Sequence, residues 1–177
     1  DLETPSSSIQ MAAKTELLRG FEGMLGAKPA IAGRKTSGIR LLRDQHLPDE
    51  GFRIELKGGN LLVSGGSDRG ILYGAFTLLR LIQTGQAISK LPISESPKVQ
   101  LRMLNHWDNP LGTIGRGYAG ASLWKWYELP EVIDPRYTDY ARANASIGIN
   151  AVAVNNVNAS ARFLTAEYLQ KVKALAD

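Results

Sequence analysis

Apolar positions follow one rhythm before about residue 97 and another after it. In the first stretch Ile9, Ala13, Leu17, Phe21, Met24 and Leu25 recur at helical spacing and predict a helix from Ser8 to Leu25, which Gly26 and Pro29 bring to an end. Ile39-Arg40-Leu41-Leu42 reads as a short strand. Gly51 to Leu56 and Leu61 to Ser64 read as two more, joined through Lys57-Gly58-Gly59-Asn60 as a hairpin, because so tight a turn needs positive φ. After Gly65-Gly66-Ser67-Asp68-Arg69-Gly70 a helix runs to about Gln83, with Leu72, Ala75, Phe76, Leu79 and Ile82 on one face, and Gly85 ends it. Helix, strand, hairpin and helix predict an α+β layer, a sheet covered by helices.

Leu91 to Lys98 carries two prolines and two serines and fits neither period, which marks it as the boundary between a domain over 1–97 and another over 98–177. Val99 to Leu104 reads as a buried strand, and a long aromatic loop follows it. Asp134-Pro135 offers an N-cap and a first-turn proline for a helix to Ile147, closed by Gly148. Ile149 to Val154 is a second strand, Asn155 to Ser160 a polar strand end, and Thr165 the cap of a last helix. Strand, helix, strand, helix is the βα grammar of a parallel sheet or barrel. A (β/α)₈ TIM barrel typically needs about 250 residues, so the expectation is a truncated piece of one.

Composition changes this picture little. With 44% hydrophobic and 21% charged residues the chain is of ordinary globular character, and no apolar run reaches the length of a membrane span. A net charge of +4, scattered rather than clustered, fits a solvated surface better than nucleic-acid binding. The absence of cysteine rules out disulfides, thiolate metal sites and a cysteine nucleophile. Two histidines sixty positions apart make no metal site, and no cofactor is expected. Compartment is left open, with the periplasm or the exterior slightly favoured over the cytoplasm.

Candidate chemistry concentrates at the two later strand ends. Asn105-His106-Trp107-Asp108-Asn109 follows the first of them, and Asn155-Asn156-Val157-Asn158 follows the second. A lone polar strand end more often satisfies loop backbone, and a lone strand-end histidine is more often a partnered residue than a catalyst. In a parallel βα architecture, however, both ends face one side, where sites form. Indole offers a flat apolar face and amides bond hydroxyls, a combination suited to a sugar. Arg116 could meet a carboxylate in fork geometry, or pin Asp108. Gly65 to Gly70 lies where phosphate loops occur, but it matches neither nucleotide-binding spacing and reads as a turn with Ser67 or Asp68 as N-cap. Asn-x-Ser matches at Asn144 and Asn158 are read as accidental.

The run Leu104-Asn105-His106-Trp107-Asp108-Asn109, then Arg116 to Gly120, Trp124 and Trp126, resembles the opening of the barrel in α-glucuronidases of glycoside hydrolase family 67. Asp139 to Asn150 and Asn155-Asn156-Val157-Asn158-Ala159 resemble the same family. Pro110, Leu111 and Gly115 depart from its pattern. The resemblance implies a hexosaminidase domain 2-like small domain ahead of the barrel. It also implies an enzyme that removes 4-O-methyl-glucuronic acid from xylooligosaccharides with inversion, during xylan degradation. Trp107 is then expected against the glucuronic acid and Val157 near its carboxylate. Asn105, His106, Asp108, Arg116, Asn156 and Asn158 are hydrogen-bonding or supporting candidates, while Trp124, Trp126 and Tyr127 are expected to anchor the loop on the small domain, with lining of the xylan-binding side as the lesser alternative. Family members take their catalytic carboxylates from later strands, so none is assigned here, and Asp108, Glu128 and Asp134 are not put in their place. Partners would be glucuronic acid-bearing xylooligosaccharides, with neither nucleic acid nor membrane. Open strand edges add self-association as a homo-oligomer. A non-catalytic carbohydrate-binding or interaction module remains the alternative.

Overall fold

A computed structural model describes residues 7–31, 37–86, 91–106, 108, 122–154 and 160–177. One unit comprises Asp1–Gln100 with Ser146–Gly148, and the other Leu101–Ala145 with Ile149–Asp177.

The first unit carries a four-stranded sheet of β1 (Ile39–Arg43), β2 (Phe52–Lys57), β3 (Asn60–Gly65) and β4 (Ile93–Glu95), in the order β1-β3-β2-β4. β2 and β3 form the antiparallel hairpin, turned by Gly58 and Gly59 at φ 57° and 75°. β1 lies parallel to β3. β4 corrects one expectation. Its residues fall in the segment read as neither helix nor strand, yet they pair antiparallel with Phe52, Arg53 and Ile54 of β2. Pro92 and Pro97 bracket it and, lacking N–H donors, hold it to a short edge strand.

Two helices cover this sheet. In α1 (Ser8–Leu25) the Ser7 hydroxyl accepts from the Gln10 N–H at 3.2 Å, and Gly26 closes the far end at φ 68°. In α2 (Asp68–Gln83) Ser67 is the N-cap, accepting from the Gly70 N–H at 3.3 Å. α2 packs against both the sheet and α1. A Cβ on Gly74 would stand 2.7 Å from Val63 Cγ1, and one on Gly20 would stand 2.5 Å from Leu79 Cδ2. Contact on two sides corrects the single face expected for α2: Ile71, Tyr73, Gly74 and Leu78 are buried as well as Ala75. On α1 the expected apolar face fades at Leu25, which is exposed, while Gln10 is buried and donates to Asp68 Oδ1 at 2.8 Å. Ile54, Val63, Ile71 and Leu78 are almost wholly excluded from water. Each such side chain contributes about 1.5–3 kcal/mol through burial.

The second unit is organised differently. β5 (Met103–Asn105) and β6 (Ala151–Ala153) pair in parallel, with α3 (Pro135–Ser146) between them in the chain. A 3₁₀ turn (Ala161–Leu164) and α4 (Ala166–Ala176) follow. The buried strand expected over Val99 to Leu104 is corrected on two counts. Pairing starts only at Met103, and the run is open to solvent, with Val99 61%, Leu101 62% and Met103 48% exposed. The second strand likewise narrows from Ile149–Val154 to Ala151–Ala153. The α3 cap is as expected, Asp134 accepting from the Arg136 N–H at 3.0 Å, and Gly148 follows the helix at φ 79°. Thr165 occupies the N-cap position of α4, but its hydroxyl instead donates back to the Arg162 carbonyl at 2.7 Å.

Three-residue strands cannot supply a core, and aromatic side chains build it instead. Trp124, Trp126, Leu129, Tyr137, Phe163 and Tyr168 are buried together. Trp126 stands edge-on to Phe163 at 5.0 Å, and Phe163 lies 5.0 Å from Tyr168, spacings at which ring quadrupoles attract. Trp124 and Trp126 were expected to anchor their loop on the small domain. They are core residues of their own unit, and Tyr127 beside them is 81% exposed.

Candidate functional site

The polar strand end of β5 is fixed by its pairing with β6. At the entry, the Asn150 N–H donates to the Arg102 carbonyl at 3.0 Å, and the Arg102 N–H donates to Asn150 Oδ1 at 2.9 Å. Asn105 is level with Ala153, and the His106 N–H extends the ladder to the Ala153 carbonyl at 3.0 Å. Both chains therefore leave the ladder at one end, as parallel strands must. That end is the side on which parallel βα architectures bind ligands.

His106 is held from behind. Its Nε2 forms a hydrogen bond with the Tyr140 hydroxyl of α3, and its ring stands edge-on to Trp124 at 5.9 Å. Tyr140 in turn meets Trp124 edge-on at 5.5 Å. One helical turn earlier, the Tyr137 hydroxyl accepts from the Lys125 N–H at 2.6 Å. Residues three apart share a helix face, so α3 pins the histidine with one tyrosine and the following loop with the other.

Asp108 is buried, and both of its oxygens are engaged. Oδ1 accepts from the Ser122 hydroxyl at 2.6 Å and the Leu123 N–H at 3.3 Å, and Oδ2 accepts from Trp126 Nε1 at 2.7 Å. A carboxylate so occupied ties down the loop and leaves little for a ligand. Asn105 is exposed at the strand end. Trp107, Arg116, Asn156, Val157 and Asn158 lie outside the described residues. Sequence reasoning missed Tyr137 and Tyr140. A usable signal was Tyr-x-x-Tyr on the helix that links two polar strand ends.

A cleft of about 600 Å³ opens beside the loop, between Trp126, Tyr127, Arg136 and the Tyr168 and Lys171 side chains of α4. Its charges are largely paired. Lys125 binds Asp134 at 2.8 Å and Glu128 at 3.5 Å, while Lys171 donates to the Trp126 carbonyl at 2.7 Å. The hydrogen bond with Asp134, then the charges of Asp134 and Glu128, hold the Lys125 amine above the ordinary lysine value. The same hydrogen bond, reinforced by the Arg136 N–H, holds Asp134 below the usual carboxylate range. Glu128 and Asp134 are thus partners of a lysine. Among the described residues no cluster of acidic or histidine side chains could hold a metal ion.

The glycine-rich turn ahead of α2 is filled by the chain itself. A Cβ on Gly66 would lie 2.0 Å from the Pro48 carbonyl oxygen, and one on Gly70 would lie 2.4 Å from that of Gly51. The Ser67 oxygens already accept from the first helical N–H groups, Gly70 and Ile71. This is a capped, packed turn.

A model of the glycosyl hydrolase family 67 middle domain matches residues 81–177, and one of glycosyl hydrolase family 20, domain 2, matches residues 2–95. The chain is 34% identical over 193 residues to a probable alpha-glucuronidase A of Aspergillus terreus, covering 98% of this chain and 22% of that protein. It is 38% identical over 153 residues to alpha-glucuronidase A of Emericella nidulans, covering 84% and 17%. To the alpha-glucuronidase of Hypocrea jecorina it is 30% identical over 191 residues, covering 94% and 22%. The chain thus spans about a fifth of the length of the curated relatives it matches. Among solved structures, a GH138 enzyme targeting pectin rhamnogalacturonan II shares the fold. The two superpose with a TM-score of 0.61 at 21% identity, over 98% of this chain and 28% of that one. With the middle-domain model matching more than half of its residues, the chain belongs to glycosyl hydrolase family 67.

Proposed function

We propose that the whole protein is an α-glucuronidase that removes glucuronic acid, or its 4-O-methyl ether, from xylooligosaccharides by inverting hydrolysis. In this reading the first unit is the small domain ahead of a (β/α)₈ barrel, and β5, α3, β6 and α4 are the barrel's first βα units. The observation that carries it is the parallel β5–β6 pair, whose shared end bears Asn105 and His106 and leads into Trp107 and the Asn155–Asn158 segment. Relatives called alpha-glucuronidase along nearly the whole chain support it.

Inversion needs a carboxylic acid to protonate the leaving oxygen and a carboxylate to activate water on the opposite face. Family members take the acid and base from later strands, and neither role is assigned to Asp108, held by its loop, or to Glu128 and Asp134, paired with Lys125. Trp107 supplies the apolar wall of the sugar pocket and Val157 lies by the sugar's carboxylate, with Arg116, Asn156 and Asn158 bonding or supporting around them. The substrate derives from wall xylan, which favours action outside the cytoplasm. No helix among the described residues is long and apolar enough to cross a membrane.

The test is to incubate the whole protein with 4-O-methylglucuronosyl xylotriose and follow the anomeric protons by NMR. Release of glucuronate, first as the β-anomer, is expected, and no release overturns the reading. Trp107→Ala should raise KM and lower kcat/KM by about tenfold or more, since a stacked sugar loses a desolvated aromatic partner. Val157→Asp should reject the acidic substrate through like-charge repulsion, while unchanged kinetics would remove Val157 from the site.

A further inference from the structure

The ring packing of Tyr140 on Trp124 is one that a phenylalanine would keep. Tyr140 is only half-buried, and its ring already packs on Trp124. What the hydroxyl adds is one hydrogen bond, to Nε2 of the histidine that directly follows the last paired residue of the parallel strand β5. A tyrosine hydroxyl can donate or accept, so it satisfies Nε2 in either tautomer of the imidazole. The ring is thereby held on two sides, by Tyr140 and by Trp124 edge-on, while the backbone N–H of His106 is fixed on the Ala153 carbonyl. Among the described residues no hydrogen bond engages Nδ1. A ring held this way at Nε2 presents one oriented polar atom, the arrangement needed to meet a sugar hydroxyl without first losing rotamer freedom.

We propose that Tyr140 is a positioning residue of the sugar site: it holds His106 by Nε2 so that Nδ1 makes the hydrogen bond to a hydroxyl of the bound uronic acid. This rests on the α-glucuronidase reading and adds to it the side chain that orients a wall residue from the helix behind. Such a bond exists in the bound ground state and in the transition state alike. Its loss therefore raises KM and leaves kcat nearly in place.

The experiment is a double-mutant cycle in the whole protein, with 4-O-methylglucuronosyl xylotriose as substrate. Tyr140→Phe keeps the ring and its packing. It should raise KM about tenfold, with kcat within about twofold and an unchanged melting temperature. His106→Ala should show the same pattern, with His106→Gln as the second variant if the alanine protein does not fold. Once His106 is gone, Tyr140→Phe should add nothing, because the phenol acts only through the imidazole. Unchanged KM in Tyr140→Phe overturns the proposal. So does a fall in kcat/KM that adds in full to that of the His106 variants, which would make the tyrosine structural. Failure of the unmutated protein to release glucuronate counts against the activity. An active protein whose two residues do not couple counts against the positioning role alone.

Discussion

The two units solve the same problem, that of burying a sheet, with different means. In the first, each of four strands has a neighbour, and two helices cover the sheet with aliphatic side chains that are almost wholly dry. In the second, the two strands have three residues each, β5 exposed and β6 half-buried, and order comes from aromatic rings and buried hydrogen bonds in the loop that joins strand to helix. Aliphatic packing tolerates little change in volume, whereas a polar anchor fails through a single atom. The difference teaches where each unit is vulnerable: the first at its closest backbone approaches, the second at Asp108.

Gly66→Ala should cause the largest loss, because the new methyl meets backbone oxygens of Pro48 and Leu47 at 2.0 and 2.6 Å, which no side-chain rotation can relieve. On the order of 4 kcal/mol is expected. Urea unfolding followed by far-UV circular dichroism would measure it, and a wild-type midpoint would show that the turn can open. Ile54→Ala, at a fully buried position of β2, should cost about 3 kcal/mol in the same assay.

Asp108→Asn tests the polar anchor. The amide cannot accept at both ends, so the Ser122 hydroxyl or the Trp126 indole N–H loses its partner, at a cost of about 2 kcal/mol. All three tryptophans lie in the second unit, so their fluorescence reports on it; the emission should shift to the red. An unmoved spectrum would mean that aromatic packing alone orders the loop. Leu104→Ala sharpens the contrast from the other side: on a strand, apolar, yet more than a third exposed, it should change stability by less than about 1 kcal/mol.

The smallest effect belongs to Lys125 and Asp134, a pair still partly open to solvent and screened by salt. Asp134 is more acidic in the fold than in the open chain, so its share is present at neutral pH and disappears as pH falls through its lowered value. Lys125 is more basic in the fold, so its share disappears as pH rises through its raised value. The melting-temperature gap between wild type and Lys125→Met should therefore be flat near neutrality and close at both extremes. A gap that persists in acid would assign the effect to packing.

Legibility in the sequence divided along the same line. α1, the hairpin and α2 were readable because local signals agree with the tertiary outcome: Ser7 and Ser67 cap, Gly26 and Gly85 stop, and Gly58-Gly59 turns. β4 was not, because its pairing with β2 is set by partners some forty residues away while two prolines dominate the local pattern. Val99 to Leu104 misled in the opposite sense, since apolar composition records what a strand can bury and not what stands beside it. At the site, the polar character of Asn105 to Asp108 was plain. The division of labour was not. His106 and Asp108 are two positions apart, yet one faces Tyr140 and the other is consumed by Ser122, Leu123 and Trp126, partners 14 to 18 positions further along the chain.

The plugged turn ahead of α2 also limits what this small domain could become. Point substitutions explore side chains, but the obstacle to an anion at Gly66 and Gly70 is the carbonyl row of Leu47 to Gly51, which is present whatever those residues are. An ancestor seeking a phosphate at this helix could reach it only by deleting or rerouting that stretch, a change that also removes the Gly66 N–H's partner on Gly51. Mutational drift in such a turn is confined to keeping it closed.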